Sequence, residues 1–107
     1  ARRPRGRTHY VVGMLRDKDV PAVGRALAGI VRDDDEWIAV GTDGERGLDA
    51  QALVARLAPA LGRQLHAEPD VASGCRRAAS GARDGDRVLV FGSFHTVGPA
   101  LEWHRLY

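Results

Sequence analysis

With 107 residues, 44% of them apolar and 28% charged, the chain has the composition of one globular domain. That length supports a single core but is short for a complete multi-substrate enzyme. No apolar run approaches the roughly 20 residues of a membrane span, and a lone Cys75 excludes an intrachain disulfide or a multi-cysteine metal site. The net charge of +2 is concentrated at one end, where Arg2, Arg3, Arg5 and Arg7 fall within residues 1–7. These residues are read as a disordered basic arm, because no aromatic side chains are interleaved for base stacking and no helix carries a basic stripe. Behind the arm there is no apolar segment of the kind a signal peptide needs, so a cytoplasmic protein with no membrane or nucleic-acid partner is expected.

In chain order, Thr8 to Gly13 is a strand whose near-continuous apolar run suits burial on both faces. Asp19 is placed as a helix N-cap with Pro21 in the first turn, followed by Val20, Val23, Leu27, Ile30 and Val31 at helical spacing. The run Asp33-Asp34-Asp35 reads as a solvated loop, since three consecutive aspartates cannot all face one cation. A second strand, Trp37 to Val40, leads through Glu45, Arg46 and Gly47 to a helix over Asp49–Leu61 that Pro59 is expected to kink or end early. A short third strand covers Gln64 to Ala67. Pro69-Asp70 then opens a helix with Val71, Cys75, Ala79 and Ala82 on a small-residue face that lies close to the sheet. A fourth strand, Arg87 to Phe91, precedes a last helix that begins between Thr96 and Pro99.

Alternating strands and helices with short connections give an α/β fold with a Rossmann-like, mostly parallel sheet flanked by helices. Ligands of such sheets bind outside the carboxyl ends of the strands. Two polar loops sit there: Gly13-Met14-Leu15-Arg16-Asp17-Lys18-Asp19 after the first strand and Gly92-Ser93-Phe94-His95 after the fourth. A strand ending at the start of a helix leaves outward-facing N–H groups that suit an anion. Lys18 stands out as the only lysine in a chain that otherwise uses arginine, and an ammonium is a compact point charge where a guanidinium is a planar fork. There is no Walker-type or dinucleotide-type glycine loop, no nucleophile elbow, and no zinc-ligand spacing among His9, His66, His95 and His104. No catalytic residue and no metal ligand is assigned. The chemistry reads as half of a site.

The segments Val-Val-Gly-Met-Leu-Arg-Asp-Lys-Asp-Val (11–20) and Asp-Arg-Val-Leu-Val-Phe-Gly-Ser-Phe-His-Thr-Val-Gly (86–98) resemble the C-terminal domain of the folylpolyglutamate synthase/dihydrofolate synthase family, within the Mur ligase superfamily. The resemblance runs from Gly6 to about Leu101, with a looser match around Arg46. It assigns residues 8–107 to a glutamate ligase domain and implies a Rossmann-like sheet whose edge strand can run antiparallel. It also implies a monomeric parent enzyme that uses ATP and Mg2+ to activate a pterin-linked carboxylate of dihydropteroate or folate. The amine of L-glutamate then attacks the acyl phosphate. The nucleotide loop and the metal ligands belong to a preceding domain, so this part alone is inactive.

On that resemblance Lys18 supplies an ammonium to a glutamate carboxylate. Ser93 supplies a hydroxyl, and the N–H groups around Gly92 and Phe94 an anion site. Asp17, Asp19, His95 and Arg46 are accessory candidates, the two aspartates chiefly as loop anchor and N-cap. Two other classes compete: a standalone regulatory domain sensing an anionic metabolite, and a nucleic-acid module resting on the N-terminal arginines.

Overall fold

The computed structural model describes residues 6–32, 34–42 and 47–92. Seven elements follow one another: β1 (Thr8–Gly13), α1 (Val20–Ala28), β2 (Glu36–Val40), α2 (Ala50–Leu61), β3 (His66–Glu68), α3 (Val71–Gly81) and β4 (Arg87–Gly92). The strands form one sheet in the order β3-β2-β1-β4, every pairing parallel. This is the expected α/β class. Among the described residues the antiparallel pairing is confined to an isolated bridge between Leu15 and Gly47. The fourth helix expected near the C-terminus lies outside the described residues.

Burial on both faces explains the unbroken apolar run of β1, in which all six residues are buried. Tyr10, Val12 and Met14 pack with Trp37, Ala39 and the leucines of α2 on one face. Val11, Ile38 and Val40 pack with Val71, Cys75 and Ala78 of α3 on the other. Tyr10 and Trp37 are register partners on β1 and β2. Their rings stack at 4.0 Å, and Phe91 of β4 meets both edge-on at 6.2 Å. Such offset and edge contacts add about 0.5–1.5 kcal/mol per pair beyond the area buried, and here they tie three neighbouring strands on one face.

Helix boundaries follow local chemistry, with three departures from the sequence reading. Asp19, Asp49 and Asp70 each cap a helix, accepting from Ala22 N, Ala52 N and Ser73 N; at Asp70 the Ser73 amide bond pulls the carboxyl below its ordinary range. The first departure is that α1 stops at Ala28, leaving Ile30 outside the helix and 60% exposed. Gly29 is a poor helix former, and Asp35 Oδ2 accepts from Arg32 N just beyond it, drawing the chain into a turn.

The second is that α2 neither ends nor breaks at Pro59, but runs two residues further to a left-handed Gly62 with φ 76°. A proline so near the end costs only one ladder bond, and Gly62 N restores order by donating to Ala58 O at 2.8 Å. The third is the buried face of α3, which is Val71, Gly74, Cys75 and Ala78, with Ala79 exposed and Ala82 at the C-cap. A strict four-residue step drifts about 40° per step around a 3.6-residue helix, so only the i, i+3, i+4, i+7 stripe stays on the sheet. Cys75 is fully buried and its thiol is pushed up by desolvation.

Gly74 sets how closely α3 approaches. A Cβ there would collide with Val40 Cγ1 and come within 3.1 Å of Val11 Cγ1. Gly74→Ala is expected to cost about 1–3 kcal/mol, the usual penalty for overfilling a packed interior. Gly29→Ala, where a Cβ meets nothing within 4 Å, is expected to be neutral or slightly stabilising. Urea unfolding midpoints of the two variants check this contrast.

Candidate functional site

β1 is central, and the chain moves outward from it through β2 to β3 before crossing to the opposite side at β4. The carboxyl ends of β1 and β4 therefore form the topological switch point, where neighbouring connections diverge and a crevice opens. Their register runs from Thr8↔Arg87 to Gly13↔Gly92, so both strands finish level. Parallel neighbours lie about 4.8 Å apart. The two polar loops singled out in the sequence thus leave the sheet side by side. Gly92 is the last residue of β4. Ser93, Phe94, His95 and Arg46 lie outside the described residues.

The β1–α1 loop is held by backbone bonds. Lys18 N donates to Leu15 O at 3.1 Å, and Val20 N to Lys18 O at 2.9 Å. Asp19 turns its carboxylate back to cap α1. Lys18 is exposed, as are Asp17 and Asp19, so the ammonium is presented to solvent at the carboxyl edge. A cleft of about 490 Å³ opens on the same edge, lined by Asp49, Gln51, Glu68 and Pro69. It is at the far end, beside β3. Its two acids are engaged, Asp49 as the α2 cap and Glu68 with Arg77 at 2.9 Å.

Sequence reasoning passed over a connected ionisable cluster at the amino ends of the strands. His9 is fully buried. Its Nδ1 is 2.6 Å from Glu36 Oε1 and its Nε2 2.9 Å from Asp86 Oδ2. The two carboxylates thus hold the ring from both of its nitrogens. Asp86 accepts besides from Arg7 N and Arg83 N. The His9 hydrogen bond, then the Arg83 amide, holds its carboxyl down at about 2. The signal available in sequence was a histidine inside an otherwise apolar strand, with an acid at the start of each neighbouring strand. Among the described residues no group of three or more His, Cys, Asp or Glu is arranged to hold a metal ion. No described helix is long and apolar enough to cross a membrane.

Against known proteins, the family model described as "Mur ligase, glutamate ligase domain" matches residues 1–94. The chain belongs to this family. It is 40% identical over 93 residues to the dihydrofolate synthase/folylpolyglutamate synthase of Haemophilus influenzae, and 36% over 97 residues to that of Escherichia coli. These alignments cover 86% and 91% of the chain but 21% of each relative, so this Mur ligase domain spans about a fifth of the curated proteins it matches. The Escherichia coli FolC structure with ADP superposes with a TM-score of 0.78 at 34% identity, covering 97% of the chain and 23% of that protein. The bifunctional synthase of Yersinia pestis, complexed with AMPPNP and a Mn ion, gives 0.74 at 34%, covering 92% and 22%.

The lowered Asp86 carboxyl makes a pH prediction for this domain. Its stabilisation is fully present above the ordinary carboxylate value of 3.8 and is lost as pH falls toward about 2. The gap in urea midpoint between the native chain and Asp86→Asn should therefore be fully developed at about pH 5 and narrow steadily below about pH 4. A gap that stays fixed down to pH 2 would show that the ionised carboxylate contributes nothing.

Proposed function

We propose that this chain is the glutamate-holding domain of a larger ATP-dependent ligase that adds L-glutamate to dihydropteroate or folates. The observation that carries this reading is the level register Gly13↔Gly92 at the switch point, which starts the Lys18 loop and the Gly92-Ser93-Phe94 segment from adjacent strand ends. L-Glutamate brings two carboxylates and one amine. Lys18 pairs with one carboxylate as a directed ammonium. The Ser93 hydroxyl and the N–H groups around Gly92 and Phe94 take a second anionic group. With both ends held, the amine is free to face an activated carboxyl presented by the rest of the enzyme. The domain's contribution is thereby one of proximity and orientation, with no proton transfer assigned to it.

ATP with a divalent metal supplies the activation of the acceptor carboxylate as an acyl phosphate. The similarity to synthases whose structures hold AMPPNP with Mn, or ADP, supports that partner chemistry. On this proposal nucleotide binding falls mainly to the remainder of the ligase. On this reading the isolated chain binds weakly and does not turn over.

In the whole ligase, Lys18→Ala is expected to raise the KM for glutamate about 10- to 100-fold, the range for losing a hydrogen bond to a charged group. The KM for ATP should stay nearly unchanged. An unaltered glutamate KM would sink the assignment. On the chain itself, amide-shift titration with L-glutamate should move signals at Lys18 and Gly92–Phe94 ahead of D-glutamate. Response to a short DNA duplex at residues 1–7 alone would instead favour a nucleic-acid module.

A further inference from the structure

Immediately past β2, Thr42 stands between the two connections at the carboxyl edge. Its Oγ1 donates to Met14 O at 3.1 Å and accepts from Leu48 N at 3.0 Å, while its backbone N donates to Leu48 O at 3.2 Å. Met14 is the first residue beyond β1 and is 2% exposed; Leu48 is buried beside α2. One half-buried hydroxyl thus ties the start of the Lys18 loop to the entry of α2. Two further contacts run in parallel. Leu15 and Gly47 form an antiparallel bridge, and Arg56 Nη1 of α2 donates to Arg16 O at 3.1 Å. Leu15 O in turn receives the Lys18 amide. The path from Thr42 to Lys18 is therefore Met14, Leu15, and the turn that sets the ammonium.

We propose that Thr42 is a positioning residue for the Lys18 loop. Its hydroxyl fixes where the ammonium stands relative to the end of β4, and Arg56 braces the same loop from α2. This deepens the proposed function and rests on its reading of Lys18 as a glutamate partner. The geometry makes both roles of the hydroxyl specific. Valine has the same shape without donor or acceptor, leaving a carbonyl and an amide unpaired, whereas serine keeps both bonds.

The test compares Thr42→Val, Thr42→Ser and Arg56→Gln by amide exchange on the chain and by kinetics of the whole ligase. Thr42→Val should speed exchange of the Leu48 and Lys18 amides about tenfold or more relative to those of β1. It should raise the glutamate KM about five- to twentyfold with the ATP KM unmoved. Thr42→Ser should restore both, and Arg56→Gln should loosen Lys18 without touching Leu48. Should Thr42→Val fail to fold, Arg56→Gln and Thr42→Ser still decide the point, because only a braced loop responds to the first and tolerates the second. The proposal is overturned if the Lys18 amide exchanges at the native rate in Thr42→Val, or if Lys18→Ala raises the glutamate KM and Thr42→Val does not. If neither Lys18→Ala nor Thr42→Val moves the glutamate KM while the Lys18 amide loosens, the loop-positioning role stands and the glutamate reading of Lys18 fails.

Discussion

The His9 ring held between Glu36 and Asp86 is the constraint on which the rest of the sheet depends. It joins the starts of β1, β2 and β4 through one buried group, with Glu36 15% and Asp86 7% exposed. A parallel sheet has no tight hairpins to set its register, so something else must align strands whose connections pass through helices. Here the two ring-nitrogen contacts act beside Arg7 N on Asp86 Oδ1 and Thr8 N on Asp35 Oδ1. A buried ionic group is weak evidence of added stability, since its desolvation offsets much of the attraction. Removing one partner, however, strands a charge. The contacts hold the strand starts in one register, and strands aligned at Thr8↔Arg87 also finish together at Gly13↔Gly92, beside the candidate site.

The two edges of the sheet therefore do different work. At the amino edge the buried His9 is paired with the partly buried Glu36 and Asp86, and their chemistry is spent on structure. At the carboxyl edge Lys18 is exposed and its loop is fixed by backbone bonds and by the Thr42 hydroxyl, leaving the ammonium available. Helices reinforce this division. α1 and α2 cover one face and α3 the other, with Gly74 letting α3 lie close against Val40 and Val11. Because the chain reverses its direction of travel between β3 and β4, no helix bridges the ends of β1 and β4 among the described residues.

Much of this was legible in the residues. The apolar run Tyr10-Val11-Val12 named a strand buried on both faces, and Asp19, Asp49 and Asp70 marked helix starts, because capping is local chemistry. The Lys18 loop and Gly92 were placed correctly at strand ends for the same reason. Ile30 was misjudged because periodicity alone does not weigh Gly29 against the Asp35–Arg32 turn. Ala79 was misjudged because spacing by four drifts off a helical face. His9 and Thr42 were passed over for a different reason. Their partners are 27 to 77 residues distant for His9, and 28 away for Met14 on the Thr42 hydroxyl. A polar side chain whose partners are set only by tertiary register looks, in sequence, like any other.

The exposure of Lys18 also shapes what the proposed reading demands of the whole enzyme. A solvated ammonium gains only about 0–1 kcal/mol from one carboxylate, far from the roughly 4 kcal/mol that even millimolar affinity represents. Two or three such contacts, with the N–H groups after Gly92, bring the isolated edge near that weak regime. Stronger holding needs water to be excluded, which raises every electrostatic interaction in the site. A surface presented by the remainder of the ligase would supply that exclusion as it brings the activated carboxyl. On this reading the weakness of the lone edge is functional. It keeps glutamate exchangeable until the acceptor is in place, and it puts the precision of the reaction into the rigidity of the loops, where Thr42 and the His9-aligned strand ends act.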